Sequence, residues 1–135
     1  MKISNEPDAL EKEVKEGLNQ YNFKKAGITA PIPVNIFLRT DEGEIKGGLI
    51  GGMQGGWLHV AELWIDEEYR RNDHGTELLR CAEILARDSG CKAIGLSTAD
   101  FQAPGFYLKL GFVCWGVLMI TLSGTPIITF TSSLT

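Results

Sequence analysis

The chain has 135 residues, 44% hydrophobic and 22% charged. That length suits one domain over 1–135 with a core of its own, and the apolar share excludes a disordered chain. Thirteen Lys and Arg against seventeen Asp and Glu leave a net charge of −4, which argues against a nucleic-acid partner, since that would need a basic face.

In chain order, Leu10, Val14, Leu18 and Tyr21 fall on one helical face and predict a first helix over Asp8–Lys25. Asp8 is its expected cap, with Glu11 three residues on, and Gly27 its stop. Val34–Thr40 reads as a strand, DEGE at 41–44 as a hairpin turn, and Ile45–Met53 as a second strand weakened by glycines. Trp57–Ile65 makes a third, giving an antiparallel meander. The period then changes. Thr76–Ser89 is helical, with Leu78, Leu79, Ala82, Leu85 and Ala86 facing inward and Gly90 at its end. Ala93–Thr98 is a short buried strand, Ala103–Leu110 a short helix closed by Gly111, and Phe112–Leu122 and Ile127–Phe130 are two last strands. This order predicts an α+β domain with a mixed, mainly antiparallel central sheet flanked by helices, its strand–helix–strand portion parallel.

Three cysteines without CxxC spacing and two scattered histidines suggest neither a disulfide framework nor a metal site. The polar start of the chain has no signal-peptide core, and the longest apolar run, Val113–Leu122, is about half a membrane span. The expected location is cytoplasmic, with no membrane partner. The cysteines read as small packed hydrophobes, and Trp57, Trp64 and Trp115 as core residues more readily than as walls of an acceptor pocket. EKEVKE at 11–16 reads as a solvated helix face.

The segment IDEEYRRNDHGTELL joins the third strand to the second helix. Free amides at a helix start bind anions, Arg70 and Arg71 bring two cations to the same corner, and Thr76 offers a hydroxyl. These residues fit either a phosphate site or a capped helix start with solvated arginines.

Arg70-x-x-Asp73-x-Gly75-Thr76 followed by Leu78-Leu79 resembles the coenzyme A signature R/Q-x-x-G-x-G/A of the GNAT N-acetyltransferase superfamily. Downstream, Asp100-x-x-Ala103-x-x-Phe106-Tyr107-x-Lys109-x-Gly111-Phe112 is similar to its second signature, N-x-x-A-x-x-[LF]-Y-x-K-x-G-F. Phe101 to Tyr107 also resembles the Phe-Gln-Ala-Pro-x-Phe-Tyr stretch of small bacterial members. Two positions depart from the pattern: Asp73 stands where glycine is usual, and Asp100 where asparagine is frequent. A carboxylate near a pyrophosphate is repulsive, so Asp73 is expected to weaken coenzyme A binding without abolishing it.

The resemblance implies acetyl-CoA as cosubstrate and no metal. It implies an acetyl-pantetheine bonded to the backbone of Leu63, Trp64 and Ile65, and a pyrophosphate held by Arg70, Arg71, Asn72, Asp73, His74, Gly75 and Thr76, with Asp100, Ala103 and Tyr107 completing the cofactor site. Tyr107 matches the tyrosine that protonates the departing sulfur; a phenol with a pKa near 10 stays protonated at neutral pH. Its other reading is an aromatic packed under the sheet. Glu62, on the face opposite Leu63, is the candidate base, with His59 and Asp100 as further candidates. The reading is direct transfer to a primary amine, with a small-molecule or protein acceptor, the field of a −4 chain favouring a cationic one. Its alternative is a weak or inactive acyl-CoA-binding module acting through a protein partner, and a third reading is an unrelated α+β domain. Seven of sixteen glycines fall between Gly43 and Gly56, which reads as a pliable strand pair making room beside the acceptor side. The apolar C-terminal strands fit either an interior pair or a homodimer edge.

Overall fold

A computed structural model of the chain describes residues 1–99, 104–118 and 126–135. Two compact units divide it, Met1–Ala30 and Pro31–Thr135.

The first unit carries one helix, α1 (Lys12–Ala26). It starts four residues later than the sequence predicts, and Asp8 is not its cap. Pro7 presets a turn in which the Ala9 amide donates to the Glu6 carbonyl at 3.0 Å. Asp8 is held inside that turn, and the cap position falls to Glu11, whose side chain makes no capping bond. Gly27 ends the helix as expected, in the left-handed region at φ 68. Lys15 pairs with Glu11 at 2.6 Å one turn away, both exposed. No residue of α1 is buried, so Val14, Leu18 and Tyr21 form a stripe without a core beneath it.

The second unit is built on six strands: β1 (Ile32–Arg39), β2 (Ile45–Gln54), β3 (Trp57–Ile65), β4 (Ala93–Ala99), β5 (Val113–Leu118) and β6 (Ile127–Ser133). Their order is β1-β2-β3-β4-β6-β5. The β3–β4 pair is parallel and the other four pairs are antiparallel. The chain is therefore α+β with a mixed, mainly antiparallel sheet. These parallel neighbours, the only such pair among the described residues, are joined by α2 (His74–Asp88), as a parallel pair requires a crossover. A short α3 (Pro104–Lys109) follows β4. Strand ends differ from the sequence reading by a residue or two, save that β6 runs three residues past Phe130. Residues 119–122 and the expected turn at 123–126 fall mostly outside the described residues.

Side chains alternate across the sheet. One face carries Val34, Leu49, Leu58, Ile94 and Phe130, each at most 1% exposed. Helix α2 packs on β1 to β4 and buries Leu78, Leu79, Ala82 and Ala86. Leu85 departs from the expected inward set and is 39% exposed. At 3.6 residues per turn it lies roughly 75° from the centre of the buried stripe, beyond the edge of the sheet contact. Each fully buried Leu or Ile contributes about 2 kcal/mol through burial.

The tryptophans are not core residues: Trp57, Trp64 and Trp115 are 46%, 51% and 66% exposed. All three stand outside the face that α2 covers. Cys81 and Cys114 are likewise exposed, and only Cys91 is half-buried against the core. Among the described residues, no helix is long and apolar enough to cross a membrane.

Candidate active site

In β3, Leu58 and Val60 point into the core, and then Leu63 and Ile65 do, while Glu62 and Trp64 are exposed. Two even positions followed by two odd ones break strand alternation, so one residue must be extra. It is Ala61: Val60 pairs with Gly51 and Glu62 with Ile50, leaving Ala61 opposite nothing. The partner strand has to come close at this bulge, and a Cβ on Gly51 would run into the His59 carbonyl oxygen. Gly51 thus makes room for the neighbouring backbone at the kink, a different purpose from the room beside an acceptor that the sequence suggested.

The kink has a consequence on the other side of β3. The parallel pairing with β4 runs only from Trp57–Ala93 to Val60–Leu96. Beyond Val60 the two strands part. Ala61 apart, the rest of β3 keeps its ladder with β2 through Glu62, Leu63, Trp64 and Ile65, but on the β4 side it has no ladder partner among the described residues. Strand backbone left unpaired in this way presents hydrogen-bonding groups to whatever enters the opening.

The chain leaves Ile65 through a single 3₁₀ turn, Glu67–Tyr69, whose Glu68 amide donates to the Asp66 carboxylate at 3.1 Å. Arg70 folds back: its Nε donates to the Ile65 carbonyl at 2.9 Å. Asn72 Nδ2 donates to the Arg70 carbonyl at 3.2 Å. Arg71 and Asp73 both sit in the left-handed region, at φ 65 and 63. Non-glycine residues rarely do so, and such backbone concentrates at functional sites. Left-handed residues interspersed in a turn aim successive amides into one concavity, a ready anion cradle. The Asp73 carbonyl accepts the Glu77 amide at 3.0 Å, but its carboxylate makes no cap bond. Among the described residues, no acceptor meets the amides of His74, Gly75 and Thr76. A Cβ on Gly75 would sit 3.1 Å from the Phe106 ring, so the missing side chain lets α3 pack against the start of α2.

The family whose sequence model is described as "Acetyltransferase (GNAT) family" matches residues 5–112. The chain belongs to this GNAT family. It is 33% identical over 126 residues to an acetyltransferase of Agrobacterium fabrum, covering 93% of this chain and 92% of the relative. It is 45% identical over 73 residues to blasticidin-S acetyltransferase of Streptomyces morookaense, covering 53% of this chain and 54% of that relative. This match therefore spans about half the relative's length. A crystal structure of an acetyltransferase from Bacillus cereus shares the fold with a TM-score of 0.83, 31% identity, and coverage of 98% of this chain and 97% of the other.

With the GNAT family in view, the position where its signature has glycine is a left-handed one, and here Asp73 occupies it. Tyr107 is 8% exposed. Its ring packs against Phe106, Phe112 and Phe130 at centroid distances of 5.2, 5.8 and 5.6 Å. Burial pushes its phenol pKa above the ordinary tyrosine value. The Tyr107 ring is thus packed among core aromatics, and the same packing keeps its proton on. Glu62 and Trp64 share the exposed face of β3, opposite Ile50 and Gly48, and His59 is exposed on that face before the bulge. Asp100 and Ala103 lie outside the described residues. The bulge itself was missed in the sequence. Its signal was there, in the shift from Leu58 and Val60 to Leu63 and Ile65.

Proposed function

We propose that the chain, acting as one GNAT-like domain in the cytoplasm, moves an acetyl group from acetyl-CoA directly to a primary amine. The observation that supports this best is the parting of β3 from β4 past Val60, beside a helix start whose amides face no described acceptor. That pairing of an unpaired strand edge with an anion cradle fits a long ligand, acyl at one end and phosphate at the other. Leu63, Trp64 and Ile65 would hold the acyl end through their backbone. Arg70, Arg71, Asn72, Asp73, His74, Gly75 and Thr76 would hold the pyrophosphate, and the resemblance adds Asp100 and Ala103 to the cofactor site. Bound acetyl-CoA supplies an activated acyl group.

The chain's own residues would do the rest. Backbone N–H groups of β3 are fixed before reaction and polarise the acyl carbonyl without reorganising. Glu62 takes one proton from the ammonium, directly or through water; Tyr107 O–H delivers a proton to the leaving sulfur and is restored by the second proton that the nitrogen sheds as the amide forms. The net charge of −4 draws cationic acceptors. The relative named for blasticidin S supports a small-molecule amine ahead of a protein amino group. Thiol release from acetyl-CoA across a panel of primary amines tests the reading: amine-dependent release is expected, and none with any amine contradicts it.

Asp73 favours a second reading, an acyl-CoA-binding module acting through a protein partner. Its exposed carboxylate has no cap to make and stands at the cradle, where it repels phosphate. Tight acyl-CoA binding with no turnover would select it. We also propose that a second copy pairs along the free edge of β5, where Val113, Val117 and Leu118 are 53 to 63% exposed. Light scattering should then give a dimer mass that falls on dilution, and a monomer mass at every concentration removes the proposal.

A further inference from the structure

The sheet face away from α2 carries a depression of about 140 Å³. Trp57 of β3 and Trp115 of β5 stand on its two flanks, and the strands between them, β4 and β6, supply the floor. That floor is made of small and hydroxyl residues: Ser97, Thr129 and Thr131, with Gly95 under the Trp57 indole, where a Cβ would be 3.3 Å from the ring. Ser97 Oγ and Thr129 Oγ1 are 3.0 Å apart. One hydroxyl donates to the other, which leaves one O–H and spare lone pairs for a ligand. His59 adds an imidazole at the rim, and among the described residues no Asp, Glu, Lys or Arg lines the space.

Volume and chemistry narrow the occupant. A cavity of about 150 Å³ takes one benzene ring, so this depression has room for a single six-membered ring. Indole walls stack on a planar face. The hydroxyls of the floor and the imidazole at the rim can bond the polar edge of a heteroaromatic ring. Past His59, the next residue on this face of β3 is Glu62, roughly 7–10 Å along the strand, where β3 leaves β4.

We propose that the acceptor is a primary amine carried on a single planar heteroaromatic ring, the ring seated between Trp57 and Trp115 and its amine arm reaching Glu62. This rests on the acetyl-transfer reading above and names its substrate class. The test uses pyrimidines bearing aminoalkyl chains of increasing length, set against unbranched alkylamines of the same reach, with acetyl-CoA and the full chain. Ring amines should exceed alkylamines in kcat/KM by about tenfold, the size expected of one stacked ring, with an optimum chain length. Trp57→Ala and Trp115→Ala should each lower that ratio about tenfold, and Trp115→Phe should restore most of it. A ratio near one in the wild type, or one that Trp115→Ala leaves unchanged, overturns the proposal. So does a Trp115→Ala variant that turns a dimer into a monomer without altering the ratio, since the depression is then a contact between copies. If no amine is acetylated, quenching of tryptophan fluorescence by the ring amine, lost in Trp115→Ala, upholds the ring site while the transfer reading fails. Absence of quenching rejects the ring site.

Discussion

Asp73 holds a backbone conformation that glycine adopts at no steric cost, and it does so at the mouth of the proposed anion cradle. Replacing it with glycine removes about 1 kcal/mol of left-handed strain and one negative charge. Asp73→Gly should therefore bind acetyl-CoA more tightly in calorimetric titration; equal affinity would show that the carboxylate is harmless. Tyr107 makes two separable predictions. Tyr107→Phe should lower transfer about a hundredfold or more while leaving cosubstrate affinity alone, as loss of a general acid does. Its raised pKa also couples to folding: the folded state favours the neutral phenol, so the stability it protects is complete below the ordinary value near 10 and is lost as pH rises through the higher folded value. The melting temperature of the wild type should fall more steeply above about pH 10 than that of Tyr107→Phe; parallel curves would contradict the burial effect. The identity of these residues was legible because two spaced signatures surround them. The engagement of Arg70 Nε by the Ile65 carbonyl was not, because spacing places a guanidinium at a corner without saying which way it folds.

The element that decides the site is the kinked strand β3. Gly51→Ala places a methyl against the His59 carbonyl, a backbone atom that cannot step aside cheaply. It should cost about 3 kcal/mol in urea denaturation and raise the KM for acetyl-CoA; a variant as stable as wild type would show that the bulge does not need glycine. Strand periodicity located β1 to β4 to within two residues, since alternation survives wherever one face is buried. The bulge escaped because four glycines of β2 carry no side chain to report register, and only the parity shift within β3 recorded it. Helix α2 was read with one residue too many in its buried stripe, since apolar type alone did not separate Leu85 at the margin from Leu78 and Leu79 at the contact. In α1, the local turn chemistry of Pro7 overrode an otherwise suitable cap at Asp8.

At the scale of the whole molecule, the fold and the family were readable because strand, helix and turn signals agreed with two motifs at the right separation. The proposed ring site was not readable. Trp57 and Trp115 are 58 positions apart in sequence, and sheet order alone brings them to the two flanks of β4 and β6. Nothing in a linear pattern separates an indole that packs a core from one that walls a ligand, and composition favoured the core. Among the described residues, sheet order likewise makes β6 interior and β5 an edge, so the apolar C-terminal strands are not an interior pair. Thiol release from acetyl-CoA in the presence of primary amines, with wild type and Tyr107→Phe side by side, tests the central claim most directly. Amine-dependent release that falls about a hundredfold or more in the variant is the predicted result. Tight acetyl-CoA binding with no release from either protein would contradict catalysis.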